Sequence, residues 1–577
     1  MLKRVLSWFA PHWRRVRGGL TVVFALTVLG IATRTLYPLI FKFIIDSLVQ
    51  TDSAGTVDVT SARNWVLVLL AMGFLRSLTQ AFLPSSRAWM NLAIAMSIRL
   101  ELLRRILAKR HDFFQRFQPG DLVARMTDDI DQGDKLGWYA CSGVFRPIEA
   151  GLTLAFSLAV MFGLHWQLTL ASTLPLPLIV WLLSKTESLQ HRRYNERQQA
   201  TSRTVETLEA GFSGSRIVLG FAMEDAQEQL FDTVLKERER TEKRVVSLQA
   251  LLEGFFSIMN QVGLVVVLFL GGWFVLRDPH FTLGDFYAFV AYLSGLSMPL
   301  WTISWFFVST SVTHTSVKRM QELEAAEERQ PGREDLPERH PALVMERLRF
   351  AHRDAEGTAV PVLKDVTVNV RPGETVALVG PVGCGKSTLL ECATGLLTPD
   401  EGEVRLGSLP LAALADDVRA RHVAYAPQEP QLFAGTVGMN VSLDREDVSG
   451  DAVLRSLRTA RLTREVPVDK EVSQGGKGLS GGQQQRVAIA RALAGSPSVL
   501  VLDDVTSALD ARTERQFWNH VRSQLPDAGI LVSTHREATA QRADRVLWLQ
   551  DGVVHRTGTH AALLAEHEDY QRLFATE

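Results

Sequence analysis

Gly380-Pro381-Val382-Gly383-Cys384-Gly385-Lys386-Ser387 places glycine at its first, fourth and sixth positions and closes on Lys-Ser. An apolar run, Thr375–Val379, leads into it, and a helix-forming segment starting at Thr388 leads out. That strand–loop–helix context turns a common glycine pattern into a phosphate site. Glycines let backbone N–H groups turn inward around phosphates, and the helix N-terminus adds a favourable dipole. Lys386 is positioned to reach the β- and γ-phosphates, and the Ser387 hydroxyl to ligate Mg²⁺. The stretch implies a bound nucleoside triphosphate.

Working outward, short strands alternate with helices from Val344 onward, as in a P-loop α/β domain. Val499–Asp503 is an apolar strand ending in an acid, and Asp503 can hold Mg²⁺ through water beside Ser387. Leu479-Ser480-Gly481-Gly482-Gln483 lies between the two. Its hydroxyl and glycine amides form a second anion cradle, remote in sequence from the first.

The chain has 577 residues, too many for one core, and a formal net charge of −1. That balance speaks against a nucleic-acid partner. Three cysteines, Cys141, Cys384 and Cys392, form no framework of paired bridges and suit a reducing cytosol. Before residue 319 the chain is rich in long apolar runs, and Gln321–His340 is a charged connector with ten charged residues in twenty. The expected organisation is an amphipathic helix over 1–17, a membrane domain over 18–318, a linker over 319–341 and the nucleotide domain over 342–577.

A span needs about 20 mostly apolar residues, and six are expected. They are Gly19–Leu48, Trp65–Phe82, two halves of Gly151–Ser184 divided at Gly163–Gln167, Phe255–Leu276 and Phe286–Ser309. In Met1–Arg17, five Lys and Arg residues interleave with Trp8, Phe9 and Trp13, which suits a helix lying on the bilayer surface. Basic residues crowd the connection between the second and third spans, from Arg99 to Lys135. The positive-inside rule then sets both termini and both long connections in the cytoplasm. Each long connection breaks near its middle, at Phe117–Asp121 and at Gly211–Ser215, as helical hairpins would. Arg34, Arg76, Arg87 and Arg146 fall in or near spans. A charge in hydrocarbon is costly, so these side chains either snorkel, pair with Glu149 or Glu253, or face a cavity suited to anionic or amphipathic solutes. Trp301 and Trp305 are candidates for lining that cavity or for facing lipid.

The segment Leu479–Gln483, with the Gln-rich helix after it, resembles the signature of ATP-binding cassette exporters, and the resemblance extends over nearly the whole chain. It resembles a bacterial half-transporter: an all-α membrane domain of six helices followed by an α/β nucleotide-binding domain. The resemblance implies D-loop roles for Ser507 and Asp510, a switch role for His535 and a Mg²⁺ contact for Gln428. It also implies coupling helices near Gly120–Asp131 and Glu209–Glu224. Two nucleotide domains would meet head to tail, each ATP lying between one phosphate loop and the other chain's signature.

Two departures stand out. The family expects glutamate after Asp503, and this chain has Asp504. One methylene fewer displaces the carboxylate by on the order of 1 Å, and such misplacement can cost ~10²-fold in rate. Weak hydrolysis at this chain's own site and an intact signature point to a heterodimer with a half-transporter that carries the glutamate; a homodimer that tolerates aspartate is the alternative. His352 stands where a tyrosine is usual against adenine. The expected cargo is a drug, lipid or peptide crossing the bacterial cytoplasmic membrane. An importer of a siderophore or metabolite on the same scaffold, and an ATP-sensing subunit without transport, are the alternatives. Alkylation of Cys384 is expected to block nucleotide binding.

Overall fold

The computed structural model describes residues 1–49, 59–131, 133, 135–353, 358–463, 465–506 and 511–574. The chain divides into two compact units: Met1–Ile106 with Gly120–Ala325, and Leu107–Pro119 with Ala326–Glu577.

The first unit is entirely helical, and its polarity is inverted relative to a water-soluble bundle. Phe24, Leu70, Phe74, Phe82, Phe269 and Leu276 are exposed, whereas Thr27, Thr33, Thr35, Thr153, Thr310 and Thr313 are buried. The buried hydroxyls cost little where they bond back to the preceding turn, as from Thr27 to the Val23 carbonyl at 2.7 Å and Thr310 to Phe306 at 2.6 Å. In the most apolar window of Thr60–Leu107, only 11% of residues are buried. Apolar surface on that scale is matched by lipid rather than water.

Among the described residues, five helical runs are long and apolar enough to cross a membrane: Arg17–Val49, Thr60–Leu107, Pro119–Leu164, Glu224–Arg277 and Leu283–Ala325. The fourth expected span does not form one continuous helix. Trp166–Thr173 stops after eight residues and Pro175–Ser213 begins beyond Leu174. Pro175 and Pro177 lack the N–H groups that would bond back across that point. The second half of the run then continues into a long helix paired with Glu224–Val266.

Both long connections break inside the expected segments, at Phe117–Gln118 and at Gly214. The short helix of the first connection is His111–Arg116, and Pro119–Asp131 is a separate longer helix beyond it. Pro119 ends the short element because the residue before a proline is pushed out of helical conformation. Lys109, whose side chain is fully buried, donates to the Ala326 carbonyl at 2.5 Å and pairs with Glu328 at 3.4 Å. The second connection turns through Ser215–Gly220.

The second unit holds two main sheets. Leu343–Arg353, Ala359–Val370, Glu401–Leu406 and Leu409–Pro410 form an antiparallel four-stranded sheet. The central sheet has six strands in the order Val553–Gly558, Arg545–Gln550, Thr375–Val379, Gly529–Ser533, Val499–Asp503 and Val423–Ala426. All its neighbours are parallel except the first pair. Alternate residues of one strand enter opposite cores. Leu500 and Leu502 join one cluster, and Val499 and Val501 the other. A parallel sheet buried on both faces reads as the continuous apolar runs seen in the sequence.

Candidate nucleotide site

Parallel strands deliver their carboxyl ends to one edge, where ligands of open α/β sheets bind. Gly529–Ser533 lies between the strand leading into the phosphate loop and the strand ending in Asp503, with Ser533 level with both Leu378 and Asp503. Three functional segments are thereby assembled by register alone.

The phosphate loop opens at Gly380, where an added Cβ would sit 2.1 Å from the Leu549 carbonyl oxygen, so no larger residue fits. Gly385 has φ 103° and caps the helix Lys386–Thr394, a conformation that costs glycine almost nothing. Val382 is 90% exposed at the loop's tip. Lys386 Nζ donates to the carbonyls of Gly380 at 2.7 Å and Pro381 at 3.0 Å, holding the loop arched. Burial lowers the Lys386 pKa, opposed by the charges of Cys384, Asp503 and Asp504. An arriving phosphate would restore the ammonium's solvation in kind.

Cys384, whose alkylation is expected to block nucleotide binding, is not displayed at the surface. Its side chain is buried beneath the loop, and burial raises the thiol pKa despite the neighbouring Lys386 charge. Thiolate is the reactive species, so alkylation of the native loop should be slow. Cys392, on the following helix, is pushed up to about 12 by burial and is simply packed.

Asp503 is buried and accepts a 2.5 Å hydrogen bond from the Ser533 hydroxyl. That same hydroxyl accepts the Asp504 backbone N–H at 2.9 Å, while the Ser533 carbonyl lies 3.2 Å from that N–H. Ser533 thus links both acids. Asp504 is half-buried, with φ 45°, a left-handed conformation that fixes where its carboxylate emerges. Burial, followed by the charge of the neighbouring Asp503, raises the Tyr425 pKa. The sequence motifs do not single out Ser533 or Tyr425; their signal is position, each on a strand of the sheet that ends at this edge.

His352 Nε2 lies 3.4 Å from Thr388 Oγ1 in the first turn after the loop, with its ring edge-on to Phe350. The structure therefore brings His352 to the phosphate helix. Gln428 is exposed just beyond Val423–Ala426, and its carbonyl accepts from Gln485 at 3.3 Å. His535 is exposed two residues past Ser533. Ser507 and Asp510 lie outside the described residues.

The signature opens the helix Gly481–Ala494, which packs into the same core as the strands Thr375–Val379 and Val499–Asp503. Ser480 caps Gly481–Ala494 in a reciprocal capping box with Gln483, at 3.0 and 3.3 Å. Leu479 is buried beneath it, and Arg486 on the same helix makes a two-point pair with Glu465 at 2.7 and 2.6 Å. The capped helix presents the Gly481–Gly482 amides at its start.

In the helical unit, Arg34, Arg76 and Arg146 line one cavity of about 640 Å³. Trp301 and Trp305 do not. From their helix, Met298, Pro299 and Thr302 face it, while Trp301 packs edge-on to Phe256. Helical phase separates the two sets.

Comparison with known proteins agrees with this geometry. Residues 20–300 match the family described as the ABC transporter transmembrane region, and residues 363–507 match the ABC transporter family. The chain is 27% identical to the multidrug resistance-like ATP-binding protein MdlA of Escherichia coli, across 99% of this chain and 95% of that one. It is 26% identical to an ATP-dependent lipid A-core flippase of Thiobacillus denitrificans, across 100% and 98%. A bacterial Atm1-family ABC exporter solved with ATP bound shares the fold, with a TM-score of 0.78 at 20% identity over 97% of this chain and 99% of that chain. The chain is therefore a multi-pass ABC transporter of exporter architecture, joining a transmembrane region to an ATP-binding domain whose ATP hydrolysis is coupled to transport.

Proposed function

We propose that the protein is one half of a heterodimeric exporter, moving amphipathic drugs, lipids or peptides out across the bacterial cytoplasmic membrane. The observation carrying this reading is Asp504. It occupies the position after Asp503, held by Ser533 in a left-handed conformation, with a side chain one methylene too short for the glutamate of its family. ATP on this chain's phosphate loop turns over slowly, while Leu479–Gln483 serves the ATP on a partner that carries the glutamate.

Ser387 and Asp503, with Gln428, offer the hard oxygen donors that would hold Mg²⁺, which would neutralise phosphate charge. Lys386 and the loop amides hold the phosphates, His352 faces the base and His535 meets the γ-phosphate. Ser507 and Asp510 serve the contact between nucleotide domains. The multidrug and lipid names of the relatives, and a membrane-facing apolar exterior, support the cargo class. The basic run from Arg99 to Lys135 supports cytoplasmic termini and nucleotide domain. Need for a partner is supported by the tip of the second connection, where Phe212 and Phe221 are 76% and 77% exposed and Ile217 and Leu219 are also uncovered.

The test is ATPase activity in proteoliposomes, first of the chain alone and then with a half-transporter carrying glutamate at the matching position. Near silence alone and vigorous ATPase together are expected. Equal turnover per chain in both preparations would exclude the heterodimer.

A further inference from the structure

Four arginines and one carboxylate line the membrane-unit cavity: Arg34, Arg76, Arg87 and Arg146 against Glu149. Arg87 accounts for the acid. Its Nη2 lies 2.7 Å from Glu149 Oε2 and 3.0 Å from Thr27 Oγ1, and it is buried. The other three are held by aromatic faces or left open. Arg76 sits over the Tyr37 ring at 5.2 Å and Arg146 over Trp138 at 5.6 Å, while Arg34 is exposed near the middle of Arg17–Val49. An aromatic face orients a guanidinium without cancelling its charge. The formal balance of four guanidinium groups against one carboxylate leaves an excess of three positive charges in this cavity.

Such an excess is costly unless something anionic occupies the cavity. A structural role would be better served by pairing, as Arg87 and Glu149 demonstrate alongside. The remaining wall is mixed: Asn91, Thr79 and Gln80 offer hydrogen bonds, whereas Leu83, Pro84 and Met298 offer apolar contact. Guanidinium forks match phosphate and carboxylate oxygens two at a time.

We infer that this cavity is an anion cradle, and that the cargo is an amphiphile bearing a phosphate, sulfate or carboxylate head with an apolar tail. Arg34, Arg76 and Arg146 hold the head. This rests on the transport reading and narrows it, since a cationic drug would meet three like charges.

The experiment compares alkyl amphiphiles of one chain length, dodecyl phosphate, dodecyltrimethylammonium and dodecyl maltoside, binding to the full chain in nanodiscs of zwitterionic lipid. Lysophosphatidic acid and 1-anilinonaphthalene-8-sulfonate extend the series to a lipid and a soluble anion, so that the better competitor identifies the source. The phosphate should bind at least about tenfold tighter than the ammonium. Each of Arg34→Gln, Arg76→Gln and Arg146→Gln should lose on the order of tenfold in that preference. Lysine at the same positions should retain most of it, and ATP binding at Lys386 should be unchanged throughout. Equal affinity for phosphate and ammonium heads, or undiminished preference in the triple glutamine variant, overturns the cradle while leaving ATP-driven transport intact. Retained phosphate preference in vesicles that move no probe with ATP upholds the cradle and sinks the transport reading instead.

Discussion

Ser533 is a single hydroxyl that serves two acids, donating to Asp503 and accepting from the Asp504 backbone. Both bonds lie at a buried strand end, where an unsatisfied polar group costs about 1–3 kcal/mol. Ser533→Ala should therefore lower the thermal midpoint and weaken Mg²⁺-dependent ATP binding together. Unchanged Mg²⁺ dependence, measured by titrating nucleotide with and without the metal, would separate Ser533 from the site. Asp504 next to it shows how a small chemical difference gains leverage. Its backbone is held in a left-handed conformation with its N–H bonded to Ser533, which sets the starting point of the shorter side chain. Cys384, one wall of the same loop, is protected by burial and a raised pKa rather than displayed to reagents.

Elements decide which residues of one sequence motif meet another. The capping box at Ser480 makes the signature the rigid start of Gly481–Ala494. Losing such a cap costs about 0.5–2 kcal/mol. In Ser480→Ala, ATP binding to this chain's own phosphate loop should persist, while ATPase of the assembled transporter collapses. Parallel loss of both, in a fluorescent-nucleotide titration beside a turnover assay, would place Ser480 in the chain's own site. The local motifs are legible in the sequence because their chemistry and spacing lie within a few residues, as at Gly380–Ser387 and Val499–Asp503. What crosses between elements is not. Ser533 reaches Asp503 only through strand register, and Tyr425 only through an edge strand. Trp301 and Trp305 are cavity candidates by composition, yet helical phase gives the cavity Met298 and Thr302 instead. The fourth apolar run reads as one span because hydropathy does not register the missing N–H groups of Pro175 and Pro177. The resemblance implies a coupling helix near Gly120–Asp131, and a helix Pro119–Asp131 does form there, after a short helix that ends before Pro119.

At the scale of the whole molecule, the chain carries three surfaces suited to other partners. In the proposed reading lipid covers the exposed apolar helices, a second nucleotide domain meets the signature, and an apolar face of the partner covers the tip around Phe212 and Phe221, which is exposed here. Each surface is costly in an isolated chain, which is why the proposed working unit is an assembly of two. Its asymmetry rests on one carboxylate. The most direct measurement is ATP turnover of Asp504→Glu against the unaltered chain, each reconstituted alone in the same lipid. Restoring the missing methylene should raise turnover on the order of 10²-fold, with nucleotide affinity little changed. No gain, from a chain already hydrolysing briskly, would contradict the claim that Asp504 makes this site the slow half of a pair.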